Sequence, residues 1–365
     1  MEPVNSFSVG ERVSHPKFGL GTVTSVEPEV VEVRFETAGL KRLSIKHAVL
    51  LKPDKALEDA LTPGGEAYQS WIDGTFVFEG EEAEHSLGSH WSPFFNEPTD
   101  ILGRLPEILS KSLVQVAYAD NHPPLRPVPA DWPKGFSLVW PLRVSGLATV
   151  LHATKEANYL VSVYPFACEG TQHQLKLNKV HVWKSGLEAH IECDFGPTSV
   201  TFFDTLYGAN RGWYESGKTY QFVLTGIAYH CRRAEDQVLL AWNPKQSERF
   251  RELAPELAAD LPDTETMPVH TKGMAVFFPI HEWDRDDYTF RGPIKSVKEV
   301  EILEQPGWKA RVTVLRDIDN DDRELDLDII VTRKVWGDAP PPQVGEDMEG
   351  SLWLQGYLWW VGAMA

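Results

Sequence analysis

A two-residue alternation of apolar and polar positions runs through "VVEVRFET" near the start of the chain. Val31, Val33 and Phe35 fall on one face and Glu32, Arg34 and Glu36 on the other, which predicts a strand with one face buried. A second apolar run covers Leu20 to Val26, and in "LKRLSI" Leu43 and Ile45 share a face. Gly10, Gly19, Gly21 and Gly39 fall between the runs, where turns are required. Residues 7 to 52 therefore predict a small barrel of short antiparallel strands, SH3-like or Tudor-like in class.

Beyond it the period weakens. "DKALEDALTP" predicts a short helix led by Asp54, and "TDILGRLPEILSKS" a partly helical stretch that Pro106 begins or kinks. The proline-rich "DNHPPLRPVPADWPKG" predicts an extended connector, and a domain boundary is placed there.

From Phe136 onward strand-like runs dominate, and the later ones echo the earlier. "VSGLATV" resembles "FRGPIKSV", each with a glycine inside an apolar strand. "AHIECDFGPTSVTFFDTLYG" resembles "ARVTVLRDIDNDDRELDLDIIVTRKVWG", a hairpin ending in an aromatic-glycine stop, and "SGKTYQFVLTGIAY" resembles "VGEDMEGSLWLQGYLW". A bent first strand, a hairpin and a last strand announced by glycine are the order expected of an OB-like barrel. The helix "KQSERFRELAPELAADL", with Phe250, Leu253, Leu257 and Leu261 at helical spacing, is expected to pack between two such modules. The expected fold is mainly β: a Tudor/SH3-like barrel at 1–55, an acidic mixed region with the connector at 56–135, a first OB-like module with its trailing helix at 136–262, and a second at 263–365.

Charge narrows the function classes. Lys plus Arg number 35 against 53 Asp plus Glu, a net −18 that repels a polyphosphate backbone unless some segment differs. Residues 1–55 carry 8 basic and 7 acidic groups and 136–260 carry 12 and 13, whereas 56–135 carry 4 and 13 and 261–365 carry 11 and 20. Only the first OB-like module keeps nucleic acid open. Three cysteines, Cys168, Cys193 and Cys231, are too few to staple such a chain and suit a reducing compartment. "MEPVNSFSVGERV" has no basic start or apolar run of a signal peptide, and nothing approaches the roughly 18 apolar residues of a membrane helix. A cytoplasmic protein with no membrane partner is expected.

The Gly-x-Gly of "HPKFGLGTV" is not a dinucleotide fingerprint, because position 24 is Thr and a strand, not a helix, follows. Instead Phe7, Gly10, Val13, His15, Phe18, Gly19, Gly21, Val23, Val33, Phe35, Gly39, Lys41 and Leu43 form a string that resembles the carboxyl-terminal Tudor-like domain of UvrD/PcrA-type DNA helicases. More loosely it resembles the RNA-polymerase-interaction domain of CarD-type regulators. The resemblance implies a bacterial-type docking module that attaches to RNA polymerase. No Gly-x-x-x-x-Gly-Lys-Ser/Thr accompanies it, so it implies attachment without a helicase motor. Lys41, Arg42 and Lys46 form a small basic edge which, with His15, is the candidate partner-binding set. Phe18 and Phe35 are expected in the core.

Aromatics that could stack on bases are Trp183, Tyr207, Trp213 and Tyr214 in the first module and Trp336, Trp353, Tyr357, Trp359 and Trp360 in the second. Arg211, Trp213, Lys218, Arg232 and Arg233 are the candidate nucleic-acid residues, while the rings of the acidic second module are expected in a core or protein interface. No metal site or cofactor is expected. Asp317, Asp319 and Asp321 have calcium-loop spacing, but Asp322 stands where glycine is needed. His190 and Cys193 point to opposite faces of one strand, as do His230 and Cys231. "EHSLGSH" supplies no regular site, and His152, His173 and His181 read as isolated. No nucleophile elbow, kinase set or zinc-protease helix is present, and no catalytic residue is assigned. The expectation is a non-enzymatic adaptor that docks on RNA polymerase or another nucleic-acid-processing assembly and binds a second partner through its OB-like modules. The alternatives are a single-stranded nucleic-acid binder and an acidic inhibitor of a basic enzyme.

Overall fold

The computed structural model describes residues 7–15, 18–35, 38–47, 50–53, 62–79, 89–97, 99–115, 126, 128–196, 198–236, 238–242, 251–252, 255–260, 266–317 and 323–360. The chain is mainly β. Its first four strands are β1 (Arg12–His15), β2 (Gly19–Val26), β3 (Val30–Phe35) and β4 (Gly39–Ser44), an antiparallel meander in the order β1-β2-β3-β4. The alternation in β3 does what its period predicts, burying Val31, Val33 and Phe35 against Val13, Val23 and Leu50. Gly19 turns the chain with φ +73. Gly21 lies so close to Phe35 and Val33 that a Cβ there would stand 2.7 Å from each side chain. The Gly-x-Gly is therefore one turn residue followed by one close approach.

The acidic region is more than a linker. Helix α1 (Glu66–Thr75) buries Tyr68, Trp71, Ile72 and Thr75, one face at helical spacing, and Trp71 Nε1 donates to the Tyr214 carbonyl at 2.7 Å. Strand β5 (Phe76–Phe78) follows directly. After a 3-10 turn at Ser89–Trp91 come α2 (Thr99–Leu102) and α3 (Leu105–Lys111), the latter with Pro106 in its first turn as expected. Strands β6 (Leu113–Val114), β7 (Gly135–Pro141), β8 (Ser145–Ala153) and β9 (Asn158–Ala167) make a second meander. The expected helix near Asp54 lies outside the described residues.

All but two of the remaining strands share one sheet, which β5 also joins. β10 (Thr171–Val182), β11 (Ala189–Phe195) and β12 (Thr198–Asp204) run antiparallel, and after α4 (Tyr207–Asn210) the long β13 (Thr219–Arg233) returns beside β10. Next, β14 (Val238–Trp242) pairs with β15 (Thr266–His270), with α5 (Pro255–Asp260) between them. The side chains of Phe250, Leu253, Leu257 and Leu261, expected to line that helix, lie outside the described residues. Then β16 (Val276–Pro279) leads into β17 (Asp287–Ile302), β18 (Gln305–Asp317), β19 (Arg323–Thr332), α6 (Arg333–Trp336) and β20 (Asp347–Trp360), which returns beside β17.

Each half is thus a four-stranded Greek key, β13-β10-β11-β12 and β20-β17-β18-β19. The halves do not close separately. β13 and β20 pair antiparallel from Gln221↔Trp360 to Arg233↔Met348. β12 then pairs in parallel with β20 at Phe203↔Gln355, and β19 with β13 from Thr225↔Asp328 to Ile227↔Ile330. Each ring of five strands is completed only by the last strand of the other half. The repeat is legible in the hydrogen bonds: Gly217 N donates to Leu177 O at 2.8 Å and Leu177 N to Lys218 O at 2.8 Å. In the second half Gly345 N donates to Ile294 O at 3.0 Å and Ile294 N to Glu346 O at 2.8 Å.

Two corrections follow. The expected boundary at 262–263 does not divide the sheet, because strands from both sides alternate across it. The expected first strand of the earlier module, Val144 to Val150, lies in the β6–β9 meander, where β7 and β9 offer adjacent partners, and β10 takes its place in the ring. The shared strands are buried on both faces, so they read as near-continuous apolar runs instead of alternations. Phe222, Leu224, Leu352 and Leu354 face the ring interiors, while Ile227 and Trp353 pack under the β6–β9 meander with Trp91, Phe94, Ile101 and Ile108. Gln355, with no exposure, ties β9 to β20 by accepting from Ala167 N at 3.0 Å and donating to Pro165 O at 2.8 Å. At Gly350 a Cβ would lie 1.9 Å from His230 O, so only glycine lets β20 cross β13 there.

Asp204 closes β12, where its carboxylate accepts from Tyr214 Oη and from Leu206 N at 2.9 Å. Burial pushes its carboxyl up to about 7 from an ordinary 3.8. A raised folded-state value means that its contribution to stability is full below the unfolded value and is lost as pH rises towards 7, roughly 4 kcal/mol over that window. Asp204→Asn is expected to flatten the fall of the urea midpoint between about pH 4 and pH 7. Equal slopes in variant and wild type would show that this carboxyl ionises normally. The shared strands give a second expectation. Fragments 1–262 and 263–365 should each fail to show cooperative unfolding by circular dichroism and should recover it when co-expressed; a cooperative transition in 263–365 alone would contradict strand sharing.

Candidate functional site

Among the described residues β4 has a strand neighbour on one side only, β3, which leaves its other edge open. Leu40, Arg42 and Ser44 are exposed along it, while Lys41 and Leu43 turn towards the sheet. Leu40 is 49% exposed, an apolar side chain beside the open edge. The four partner-binding candidates fall into two groups. Arg42 pairs with Glu27 at 3.1 Å and Lys46 with Glu29 at 3.2 Å, both well exposed. Such pairs hold their partners weakly and exchange readily for others. His15 and Lys41 meet on Phe18: the His15 ring stacks on it at 4.6 Å and the Lys41 ammonium sits 5.8 Å from its centroid. Phe35 is in the core as expected, whereas Phe18 is half-buried at the rim and carries this column.

The nucleic-acid candidates are not assembled into one track. Arg211 is buried, donating to Gly186 O at 2.9 Å and Pro133 O at 2.5 Å with its guanidinium 5.3 Å from the Trp132 ring. Trp213 packs half-buried on the ring core, and Lys218 belongs to the turn before β13. Arg232 and Arg233 lie at the far end of that strand, on the order of 40 Å away at strand rise. They are held by Glu349 at 2.7 Å and Glu346 at 3.0 Å. Of the stacking candidates, Trp183, Tyr207, Tyr214, Trp336 and Trp353 are core residues. Trp359 is 48% exposed, and the Trp360 side chain lies outside the described residues. A shallow groove of about 610 Å³ beside Arg232 and Arg291 is also taken up internally, since Glu349 accepts from both arginines.

A polar cluster that the sequence reading passed over sits where the loop before β17 meets the shared strands. Asp286, 1% exposed, accepts from Trp353 Nε1 at 2.6 Å through Oδ2, which also lies 3.2 Å from His190 Nε2. Asp287 accepts from Tyr229 Oη at 2.5 Å and from Asp284 N at 3.3 Å. Burial works to raise the Asp286 carboxyl, but the His190 imidazole overrides it and holds the group below the usual range. Burial and the neighbouring Asp286 push Asp287 above it. His90, the described end of "EHSLGSH", stacks on Trp353 at 3.9 Å.

His190 and Cys193 do face opposite ways, Cys193 into the ring core. His181 is not isolated: Nδ1 is 2.9 Å from Glu79 and Nε2 is 2.9 Å from Glu192, with Arg285 also on Glu79 at 2.8 Å. The available signal was the hairpin register about "WKSGLE", which sets His181 opposite His190. The acidic tip with Asp319 and Asp321 lies outside the described residues, between strands that end at Asp317 and Arg323.

No protein-family model matches this chain, and no curated protein matches it. No helix among the described residues is long and apolar enough to cross a membrane.

Arg211→Ala strips two backbone carbonyls of their donor and should cost about 2–3 kcal/mol. Replacing Arg232 and Arg233 together by alanine should change stability by no more than about 1 kcal/mol. Thermal unfolding of the two variants checks this. A neutral Arg211→Ala would show a free cation and restore its candidacy as a nucleic-acid contact.

Proposed function

We propose that this protein is a non-enzymatic adaptor whose amino-terminal sheet, read as a Tudor/SH3-like barrel, docks on RNA polymerase or another nucleic-acid-processing assembly. The observation that carries the reading is the open β4 edge, with an exposed leucine and two readily exchanged basic side chains on a sheet that has its own small core. An exposed strand edge accepts an added strand through main-chain hydrogen bonds, and flanking side chains select the partner. Lys41, Arg42 and Lys46 suit a partner strand with acidic neighbours, and the His15–Phe18–Lys41 column offers a flat contact at one end of the edge. The resemblance to the helicase and regulator docking domains supports RNA polymerase as the assembly.

In the same reading the two interlocked five-stranded rings are OB-like modules that bind a second protein partner. The dispersal and internal pairing of Arg211, Arg232 and Arg233 weigh against single-stranded nucleic acid as that partner. Affinity purification of the intact protein from its host, with and without nuclease, tests the proposal. Polymerase subunits should be recovered in both conditions and lost with Lys41→Glu combined with Arg42→Glu. Recovery of none, or recovery abolished by nuclease, would sink it.

A further inference from the structure

We propose that the turn Asp284–Asp287, at the foot of β17, is a binding site for one divalent cation of the hard, oxygen-preferring class. Carboxylate oxygens of Asp284, Asp286 and Asp287 all lie within 4.8 Å of one another. Proximity of acids alone would not make a site. The second observation is Asp286 Oδ1, which belongs to a residue 1% exposed and has no hydrogen-bond partner. Its other oxygen is fixed by Trp353 Nε1 and faces His190, so the side chain cannot turn to find one. A buried anionic oxygen left unmet is costly, and a cation at that position removes the cost.

The donor set selects the ion. Three carboxylates with no thiolate suit calcium, magnesium or manganese more than zinc or copper. Asp287 is oriented by Tyr229 and by the Asp284 amide, and the exposed Asp284 opens the site to solvent, leaving positions for water. The neighbouring Arg285 does not fill the site, since its guanidinium lies on Glu79 and His181. A cation here would fasten the loop before β17 to His190 of β11, Tyr229 of β13 and Trp353 of β20, three strands of the double ring. The inference is independent of the docking proposal.

Two tryptophans report on the site. Trp353 donates to Asp286, and the half-exposed Trp283 lies 5.9 Å from Tyr229. The intact protein, stripped with chelator, is titrated separately with calcium, magnesium and manganese chlorides at constant ionic strength, following tryptophan emission and thermal midpoint. At least one ion should give a saturable one-site response with Kd on the order of 10⁻⁵–10⁻³ M. Asp284→Asn, at an exposed position that leaves the core intact, should weaken it at least tenfold, and Asp286→Asn should abolish it. If Asp286→Asn fails to fold, Asp284→Asn decides. Absence of a saturable response to all three ions, or an unchanged response in Asp284→Asn, overturns the proposal.

Discussion

The antiparallel pairing of β13 with β20 is the constraint on which the larger part of the molecule depends. Each strand belongs to one Greek key by sequence and completes the ring of the other by hydrogen bonding. A half without its counterpart would expose two strand edges and the apolar interior that the borrowed strand seals, which costs both unpaired backbone groups and buried area. The pairing also explains the two-sided burial of these strands, because one face closes the rings and the other carries the β6–β9 meander and the helices of residues 99–111. Side chains there have no solvent face to default to. That is why a buried glutamine, Gln355, must spend its amide on β9, and why Trp353 must find an acceptor for its indole nitrogen.

The amino-terminal sheet obeys a different constraint. Among the described residues its core of Val13, Val23, Val31, Val33, Phe35 and Leu50 comes from within the first 50 residues, with no member from the rings. With so few buried side chains it is a small unit of modest stability, and the exposed β4 edge is a liability that such a unit would ordinarily cover or blunt. Retaining Leu40 there, on the same exposed strand face as Arg42, whose glutamate partner is itself exposed, is consistent with an edge kept for a partner.

What was legible in the sequence follows from how local each signal is. The β3 alternation, the turns at Gly10, Gly19 and Gly39 and the Pro106 helix start depend on neighbours in the chain, and they stand where their patterns placed them, whereas Gly21, expected in a turn, lies inside β2 against Phe35 and Val33. The repeat between "SGKTYQFVLTGIAY" and "VGEDMEGSLWLQGYLW" was also readable, since both segments become the last strand of a Greek key. Strand exchange between the repeats was not, because a strand presents the same apolar run whether it closes its own ring or another. Helix α1 escaped notice because it is short, follows directly on Gly64 and Gly65 and carries Gly74 in its last turn, so turn signals crowd its four buried residues. Arg211 looked like a groove cation because the sequence does not show that Gly186 and Pro133 place their carbonyls around it.

The acidic cluster before β17 shows how a fold of this kind gathers chemistry without a motif. Asp286 and Asp287 lie next to each other in the chain, yet one is drawn towards the charged form by His190 and the other away from it by burial and by its neighbour. The groups responsible come from β11, β13 and β20, which are adjacent only because the rings interlock. Trp353 sits under the meander with its indole N–H pointing to the loop, and that N–H fixes one oxygen of Asp286 and thereby the direction of the other. The unmet oxygen is thus a consequence of strand sharing: the pairing of β13 with β20 buries Trp353, Trp353 anchors Asp286 through Oδ2, and the anchored carboxylate lies beside those of Asp284 and Asp287 with its Oδ1 unmet.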